Sequence, residues 1–204
     1  GLDELFASAL AAGIAFTGEY QVTDTYIVSV PTPYDPFSKK VDAKFVCAAV
    51  QEVLNVCPEG ACVVIESTIS PGTIDRFVRP LIAQSDKSVS LVHAPERIIP
   101  GRMLIELREN DRIIGSNRPA SAQFAKEIYE KVVTGGTIRL TDDLTAEMCK
   151  LTENTFRDIN IAYANELSKV CDRLGIDVFK LIELANCHPR VNVHTPGVGV
   201  GGHC

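Results

Sequence analysis

The 204-residue sequence predicts an α/β protein in which a parallel β-sheet, covered by helices, is joined by a long helix to a second, helical domain. Short apolar runs alternate with amphipathic helical segments from residue 25 to residue 141, which is typical of a parallel sheet with helices on its faces. From residue 142 the pattern is helical and unbroken through residue 174. We therefore predict two domains, residues 1–141 and 142–204.

Five apolar runs, several of them rich in β-branched residues, are predicted as the buried strands of the sheet. The first run ends at Pro31-Thr32-Pro33, which can continue neither a strand nor a helix. Residues 34–41 after it are predicted as a polar loop. The five strands are predicted at 25–30, 62–66, 89–93, 112–115 and 137–140.

Four helices are predicted before or between these strands. One covers residues 3–12 and ends at Gly13, and another is capped by Ser70, has Pro71 at its first position and ends near Ala83. The other two are indicated by apolar side chains on one helical face. In the helix that Asp42 caps they are Phe45, Val46, Ala49, Val50, Val53 and Leu54, and in the helix before the fifth strand they are Phe124, Ala125, Ile128 and Tyr129.

The long helix is predicted to begin at Asp142, whose side chain can cap it, and to end at Leu174 before Gly175. At ~1.5 Å per residue its length is about 50 Å. Apolar side chains lie widely around it, so we expect the helix to bury more than one face. Residues 143–174 are therefore predicted to form a homodimer interface.

The composition is that of an ordinary globular protein, with 46% hydrophobic and 23% charged residues. The net charge of −6 argues against nucleic acid or an anionic membrane as the main partner, and no apolar run reaches the ~18 residues of a membrane span. Most of the seven cysteines lie in apolar surroundings, and reduced, buried thiols in a cytoplasmic protein are the interpretation for six of them. The N-terminus has neither a signal-peptide pattern nor a methionine, so we expect a cytoplasmic fragment of a longer chain.

Polar residues follow three of the predicted strands, at the sheet edge where ligands of α/β proteins bind. Glu96 is a candidate general base or water-positioning carboxylate, and Thr68 offers a hydroxyl to the same water. An ordinary ion pair between Glu96 and Arg97 is the alternative interpretation. The three polar clusters are 31–33, 66–68 and 95–97.

Lys150 and Asn154 are four residues apart and therefore project from one face of the long helix. Both side chains donate hydrogen bonds, so together beside a thiol they suit the stabilisation of a developing oxyanion. The alternative is a solvated pair on the helix surface, which is the commoner situation for a lysine.

The chain ends in a glycine-rich stretch that carries a cysteine. A helix over 178–186, capped by Asp177, is followed by a loop over 187–204. Glycine lets the backbone approach a ligand closely, and a thiol delivered by such a loop indicates nucleophilic catalysis, with a flexible tail and a chance cysteine as the alternative. The nearby histidines and cysteines match no regular zinc pattern, so no metal site is predicted. The glycines and the cysteine are Gly197, Gly199, Gly201, Gly202 and Cys204.

Short strings of residues spread over nearly the whole chain match the motifs of a known protein family, and they occur in that family's order. Seven are Val30-Pro-Thr-Pro33, Glu66-Ser-Thr68, Pro95-Glu96-Arg97 with Pro100-Gly101, Ala146-Glu-Met-Cys-Lys150-Leu-Thr-Glu-Asn154, Asn160-Ile-Ala, Asn165-Glu-Leu and Gly199-Val-Gly-Gly-His-Cys204. Together they resemble the UDP-glucose/GDP-mannose dehydrogenase family. The other three, His93-Ala-Pro-Glu-Arg-Ile-Ile-Pro-Gly, Asn110-Asp-Arg-Ile-Ile-Gly and Ala185-Asn-Cys-His-Pro-Arg190, resemble the branch that acts on UDP-N-acetylhexosamines.

The resemblance implies an enzyme that uses NAD⁺ and no metal to oxidise the C6 alcohol of a UDP-N-acetylhexosamine, such as UDP-N-acetyl-D-mannosamine, to a carboxylate. Cys204 corresponds to the nucleophile that captures the aldehyde and then forms a thioester. Lys150 and Asn154 correspond to the pair that stabilises the oxyanion, and Thr68 and Glu96 to residues that position water. The alternatives are an enzyme for UDP-glucose or UDP-N-acetylglucosamine, or an inactive truncated module for sugar-nucleotide binding or dimerisation.

The same resemblance implies which residues bind the cofactor and the sugar nucleotide, and which parts of the family's fold these residues lack. The family's first strand with its glycine fingerprint, an aspartate shortly after the nucleophile and a C-terminal domain have no counterpart in these residues. The implied fold is an incomplete Rossmann-like sheet joined to a helical dimerisation domain, and we expect this chain alone to be inactive. The implied NAD⁺ residues are Val30, Pro31, Thr32 and Thr68, and those for the sugar nucleotide are Glu96, Arg97, Lys150, Asn154, Arg190, Gly199, Gly201 and Gly202.

Overall fold

A five-stranded sheet forms the centre of the first part of the chain. The computed structural model describes residues 2–37, 40–98 and 101–197. The strand order of this sheet is β1-β4-β5-β6-β7, and a separate hairpin holds β2 and β3. The strands are β1 (Thr25–Val28), β2 (Tyr34–Asp35), β3 (Lys40–Val41), β4 (Cys62–Ile65), β5 (Ser90–His93), β6 (Arg112–Gly115) and β7 (Ile138–Thr141).

The predicted α/β fold is confirmed, with a mostly parallel sheet that departs from the prediction at β6. Strands β1, β4 and β5 are parallel to one another, and β6 is parallel to β7, but β6 pairs antiparallel with β5 where His93 lies opposite Gly115. Arg97, shortly after β5, donates a hydrogen bond from Nη1 to Asp111 O (2.6 Å), directly before β6, so β6 starts near the carboxyl end of β5. The chain therefore enters β6 from the same end and runs in the opposite direction.

The long helix and the helices at the two ends of the chain begin and end within one or two residues of their predicted positions. Asp142 caps α6 by accepting a hydrogen bond from Thr145 N (2.7 Å), and Gly175 ends the helix with a φ of +68°. The helix α4 was not predicted, and the predicted polar loop 34–41 contains the hairpin. The helices are α1 (Leu2–Ala11), α2 (Lys44–Val56), α3 (Arg79–Gln84), α4 (Met103–Glu109), α5 (Pro119–Tyr129), α6 (Asp143–Leu174) and α7 (Val178–Ala185).

Helices cover both faces of the sheet and build two apolar cores. Five of the six residues predicted to pack from α2 are buried, while Phe45 is 43% exposed. Phe124 of α5 is also 43% exposed, because it lies at the margin of a buried stripe centred on Ala125. One core contains Val46, Val50, Val53, Val63, Ile65, Ile74 and Val78, and the other contains Cys62, Val64, Val92, Ile114, Ala122, Ala125 and Tyr129.

The helix after β4 starts differently from the prediction, which placed its cap at Ser70. A π-helical turn (Ile74–Val78) leads into α3, and no side chain of this segment caps it. Instead, the carboxylate of Glu147 in α6 accepts hydrogen bonds from Gly72 N (2.6 Å) and Ile74 N (2.9 Å). An acidic side chain from a distant part of the sequence thus accepts hydrogen bonds from N–H groups that no local side chain caps.

The first turns of α6 pack tightly on the sheet, and the later turns do not. Gly115 of β6 allows this approach, since a Cβ there would lie 2.6 Å from the Ala146 Cβ and 2.5 Å from Asp142 O. Farther along α6 an apolar stripe is more than half exposed in the described chain, so the expectation that this helix buries more than one face stays a prediction. No helix among residues 2–37, 40–98 and 101–197 is long and apolar enough to cross a membrane. The exposed stripe is Phe156, Ile159, Tyr163 and Val170.

The interpretation of six cysteines as buried thiols is correct for some of them. Cys57, Cys62 and Cys171 are buried, and burial raises the pKa of the Cys62 thiol to about 11. Two more, at positions 47 and 149, are half-buried. Cys187 is exposed, because it follows the last turn of α7 on the surface, so the interpretation is wrong there.

Candidate functional site

The loops that follow β1 and β4 are hydrogen-bonded to each other at the carboxyl ends of these neighbouring strands. Ser67 Oγ accepts a hydrogen bond from Val30 N (2.7 Å) and donates one to Val30 O (2.8 Å). Thr32 Oγ1 donates to Thr68 O (2.8 Å). The four residues predicted to bind NAD⁺ therefore lie together, with Pro31 exposed between its neighbours.

The loop after β5 is held against the middle of α6. Arg97 makes a two-pronged ion pair with Glu153, with Nη2 to Oε1 at 2.6 Å and Nε to Oε2 at 3.1 Å. Glu153 directly precedes Asn154. The structure therefore brings the loop that carries Glu96 next to the stretch of α6 that carries Lys150.

Glu96 pairs with Arg112 of β6 and not with the neighbouring Arg97. Arg112 Nη1 donates to Glu96 Oε2 (2.9 Å). Glu96 Oε1 accepts a hydrogen bond from the backbone N–H of Arg97 (2.6 Å), while the Arg97 guanidinium pairs with Glu153 instead. The alternative interpretation, a local ion pair of adjacent residues, is therefore wrong. Both oxygens of Glu96 are oriented by the protein, and its side chain remains about one-third exposed.

Arg112 is the centre of a buried polar cluster beneath this edge of the sheet. Its side chain is 6% exposed, and its Nη2 also donates to Glu66 Oε1 (2.6 Å) and to Ala94 O (3.1 Å). The guanidinium lies over the ring of Tyr129 at 4.2 Å, and the Tyr129 hydroxyl donates to Glu66 Oε1 (2.6 Å). Burial, followed by the charge of Glu66, raises the pKa of Tyr129, so this hydroxyl stays a donor.

Lys150, Asn154 and Thr68 are all half-buried, which disfavours the interpretation of the first two as a solvated surface pair. Among the described residues, neither the Thr68 hydroxyl nor the Asn154 carboxamide has a hydrogen-bond partner in the protein. Half-buried polar groups without a protein partner at the edge of a sheet are available to a ligand.

His93 ends β5, three residues before Glu96, and is fully buried. Its Nδ1 lies 2.9 Å from Ile65 O, so Nδ1 carries the proton and donates, and Nε2 has no partner among the described residues. Burial lowers the pKa of His93 to about 4, against the smaller opposite effect of the hydrogen bond to Ile65. The imidazole is therefore neutral at pH 7.

This burial predicts an acid-sensitive stability. The unfolded chain binds a proton at His93 near pH 6.5 and the folded chain only near pH 4. His93 therefore does not lower the free energy of unfolding above pH 6.5, and it lowers it progressively as the pH falls from 6.5 to 4. At 1.36 kcal/mol per pKa unit the loss in the free energy of unfolding reaches about 3 kcal/mol. Urea unfolding between pH 4 and 7 measures it. His93→Gln is expected to flatten this slope, and His188→Gln, at an exposed histidine, to leave it unchanged; equal slopes in all three proteins would contradict the assignment.

The loop after α7 is fixed to α6 by asparagine side chains. Asn160 Oδ1 accepts from His194 N (3.2 Å), and Asn165 Oδ1 accepts from Gly197 N (2.9 Å). Asn186 holds the same loop by two hydrogen bonds to the backbone of Val193 (2.8 and 2.9 Å). The start of the glycine-rich stretch is thus docked along the helix that carries Lys150 and Asn154.

Some predicted site residues are not brought together. Arg190 is exposed, and within the described chain no hydrogen bond or ion pair joins its guanidinium to another predicted site residue. Four others lie outside the described residues, namely Gly199, Gly201, Gly202 and the predicted nucleophile Cys204.

Three residues that hold the site were given no role by the sequence reasoning. Arg112 is a charged residue that opens an otherwise apolar strand, and such a residue in a buried strand signals a partner. Glu147 and Glu153 have a weaker signal, since they are only two of several acidic residues on a long helix. Their roles depend on contacts with residues 56 or more positions away in sequence.

Two models of one protein family match the chain, one in each part of the sequence. Residues 1–133 match the NAD binding domain of the UDP-glucose/GDP-mannose dehydrogenase family, and residues 144–204 match the central domain of the same family. The boundary at 141/142 that we predicted lies between these two matches and stays a prediction.

Two named relatives are similar to this chain over most or all of its length. A UDP-N-acetyl-D-mannosamine dehydrogenase from Methanococcus vannielii is 52% identical over 184 residues, which is 89% of this chain and 42% of the relative. An NDP-N-acetyl-D-galactosaminuronic acid dehydrogenase from Ralstonia nicotianae is 44% identical over all of this chain and 50% of its own length. The chain thus spans about half the length, or less, of these relatives.

Solved structures extend the comparison. The UDP-N-acetyl-mannosamine dehydrogenase from Staphylococcus aureus matches with a TM-score of 0.89 and 44% identity, over 100% of this chain and 51% of that one. A UDP-glucose dehydrogenase from Pyrobaculum islandicum matches with a TM-score of 0.90 and 27% identity, over 100% and 50%. With family models that match both parts of the sequence, the chain belongs to the UDP-glucose/GDP-mannose dehydrogenase family.

Proposed function

We propose that this chain is the catalytic middle of an NAD-dependent dehydrogenase that oxidises the C6 alcohol of UDP-N-acetyl-D-mannosamine to a carboxylate. The names of the relatives support the substrate, because the chain is 52% identical to a UDP-N-acetyl-D-mannosamine dehydrogenase and 27% identical to a UDP-glucose dehydrogenase. The observation that carries the proposal is the ion pair of Arg97 with Glu153, since it sets the loop of Glu96 beside Lys150 and Asn154.

The loops after β1 and β4 fit a nicotinamide cofactor. Residues 30–32 are partly open to solvent at the carboxyl end of β1, and the Thr68 hydroxyl beside them has no partner among the described residues. In α/β sheets this edge is where nucleotides bind. When bound there, NAD⁺ supplies an acceptor for the hydride that leaves C6. Val30, Pro31, Thr32 and Thr68 are the residues proposed to hold it.

Lys150 and Asn154 are proposed to bind the oxygen on C6. The ammonium and the carboxamide N–H groups both donate hydrogen bonds, and donors fixed on one helix face stabilise negative charge as it develops on this oxygen. Asn154 is free to do so among the described residues, since its carboxamide has no protein partner there. Arg190 and the glycines 199, 201 and 202 are proposed to bind the sugar nucleotide, together with Arg97.

Cys204 is proposed as the nucleophile. Its sulfur adds to the aldehyde carbon, and after loss of a second hydride the resulting thioester is hydrolysed by water, which releases the carboxylate and restores the thiol. Thr68 and Glu96 are proposed to orient this water. Because Arg112 and the Arg97 N–H fix both oxygens of Glu96, its carboxylate is held in one position to accept the water's hydrogen bond.

We further propose that the protein is a homodimer through α6. Phe156, Ile159, Tyr163 and Val170 recur at intervals of three, four and seven residues, so they share one face, and each is more than half exposed. An exposed apolar face of this kind marks an interface. Sedimentation equilibrium of the full-length protein is expected to give the mass of a dimer. The double variant Tyr163→Glu with Ile159→Glu is expected to dissociate more readily into monomers. A parent protein that is monomeric at micromolar concentration would rule the proposal out.

A comparison of UDP-sugars tests the proposed substrate. The full-length protein is incubated with NAD⁺ and, separately, with UDP-N-acetyl-D-mannosamine, UDP-N-acetylglucosamine and UDP-glucose, and NADH is followed at 340 nm. We expect kcat/KM to be at least about tenfold higher for UDP-N-acetyl-D-mannosamine, which corresponds to roughly 1.4 kcal/mol of discrimination. A preference for UDP-glucose would support the alternative enzyme, and no NADH with any sugar would support an inactive binding module.

A further inference from the structure

Glu147 is a buried carboxylate that the proposed reaction does not use. Its side chain is 1% exposed, and each of its oxygens accepts one backbone N–H, from Gly72 at 2.6 Å and from Ile74 at 2.9 Å. Burial raises the pKa of Glu147 above its usual value, while the two N–H donors act in the opposite direction. Both donors point at the acid, so the carboxylate form is the one that satisfies them.

The two N–H groups belong to the turn that follows Thr68. Gly72 is four residues after Thr68 and has a φ of +83°, a conformation that favours glycine. Thr68 is in turn joined to Thr32 of the preceding loop. The contact of Glu147 therefore reaches the loops proposed to hold the cofactor and the water.

On α6, Glu147 lies on the same face as the proposed oxyanion residues. Lys150 is three residues and Asn154 seven residues farther along, and both spacings return to nearly the same side of a helix. On the other side of Lys150, Glu153 binds Arg97 in the loop of Glu96. The stretch 147–154 thus holds the loop after β4 by one carboxylate and the loop after β5 by another.

We propose that Glu147 is a positioning residue, which fixes the distance between the Thr68 loop and the Lys150–Asn154 face of α6. This inference rests on the proposed function. Reacting groups on two different elements must be held to within about an ångström, and a displacement of that size costs about a hundredfold in rate. Two hydrogen bonds to one rigid carboxylate supply this restraint between the loop and the helix.

A matched variant distinguishes the positioning role of Glu147 from a role in stability alone. Asp143 is also buried in α6, one turn earlier, and pairs with Arg79 rather than with the Thr68 loop. Glu147→Gln turns one acceptor oxygen into an NH₂ group facing an N–H, while Asp143→Asn weakens the ion pair with Arg79. Both variants are expected to lower the melting temperature of the full-length protein.

Only Glu147→Gln is expected to lower kcat, by about ten- to a hundredfold, with the dissociation constant for UDP-N-acetyl-D-mannosamine changed less than about threefold. Asp143→Asn is expected to keep kcat within about twofold at a temperature well below both melting points. Equal losses of kcat in the two variants, or parental kcat in Glu147→Gln, would overturn the positioning role.

Hydrogen exchange supplies a readout that does not depend on turnover. Peptides covering residues 70–76 are expected to lose protection in Glu147→Gln and to keep it in Asp143→Asn; unchanged exchange in Glu147→Gln would overturn the contact itself. A parent that forms no NADH with any UDP-sugar refutes the proposed function instead, and exchange still decides whether Glu147 holds the turn. If Glu147→Gln does not fold, Glu147→Asp, which keeps both acceptor oxygens on a shorter side chain, is expected to fold with kcat about tenfold lower.

Discussion

Replacing Cys204 by serine is expected to reduce formation of the sugar acid by at least about a thousandfold in the full-length protein. A thiol with a pKa of ~8.5 forms some thiolate at neutral pH, whereas a serine hydroxyl does not ionise there and needs a base to attack the aldehyde. Binding of the UDP-sugar is expected to be nearly unchanged, because the substitution replaces one atom. Acid formation is measured by chromatography and binding by calorimetry.

Cys187→Ser is the matched control for this variant. Cys187 is also near the C-terminus, but it is exposed after α7, and its thiol donates a hydrogen bond to the carbonyl oxygen of Glu183 (3.5 Å). It is expected to form the acid at the parental rate. Parental activity in Cys204→Ser would refute the nucleophile assignment, and a large loss in Cys187→Ser would show that the wrong thiol had been chosen.

Replacing Arg112 by methionine is expected to lower the free energy of unfolding by about 3 kcal/mol. Arg112 is the shared partner of Glu66 and Glu96, so its removal leaves two carboxylates close together without their compensating charge. It also removes the guanidinium that lies over the Tyr129 ring. Denaturant unfolding at pH 7 measures the change, and kcat is expected to fall as well, because Glu96 loses the group that fixes its orientation.

Arg139→Met is the control for the removal of an arginine charge. Arg139 pairs with Asp111 at 3.2 Å, and both side chains are well exposed, so the expected loss is below about 1 kcal/mol. Similar losses in Arg112→Met and Arg139→Met would contradict the buried cluster. A loss of stability in Arg112→Met that leaves kcat unchanged would contradict the role of Arg112 toward Glu96.

The parts of the fold that local chemistry determines were predictable from the sequence. Asp142 and Gly175 mark the two ends of α6, because an N-cap carboxylate and a left-handed glycine act within a single turn. The proximity of the Val30–Thr32 and Ser67–Thr68 loops was also predictable, since both follow parallel strands that are neighbours in the sheet.

Features that depend on tertiary contacts were not predictable in this way. The direction of β6 follows from the path of the chain after β5, and no local pattern in its four residues records that path. The cap of the helix after β4 comes from Glu147, 75 residues away from Gly72, although Ser70 offered a plausible local cap. The exposure of Phe45 and Phe124 likewise depends on where each helix meets the sheet, which a helical wheel does not specify.

The stoichiometry of the reaction tests the central claim most directly. The full-length protein is given a limiting amount of UDP-N-acetyl-D-mannosamine with excess NAD⁺, and NADH, remaining substrate and products are quantified at completion. The proposed oxidation of an alcohol to a carboxylate removes four electrons, so it predicts two NADH formed per sugar consumed, with no aldehyde accumulating. One NADH per sugar with a stable aldehyde product, or consumption of the sugar without NADH, would contradict it.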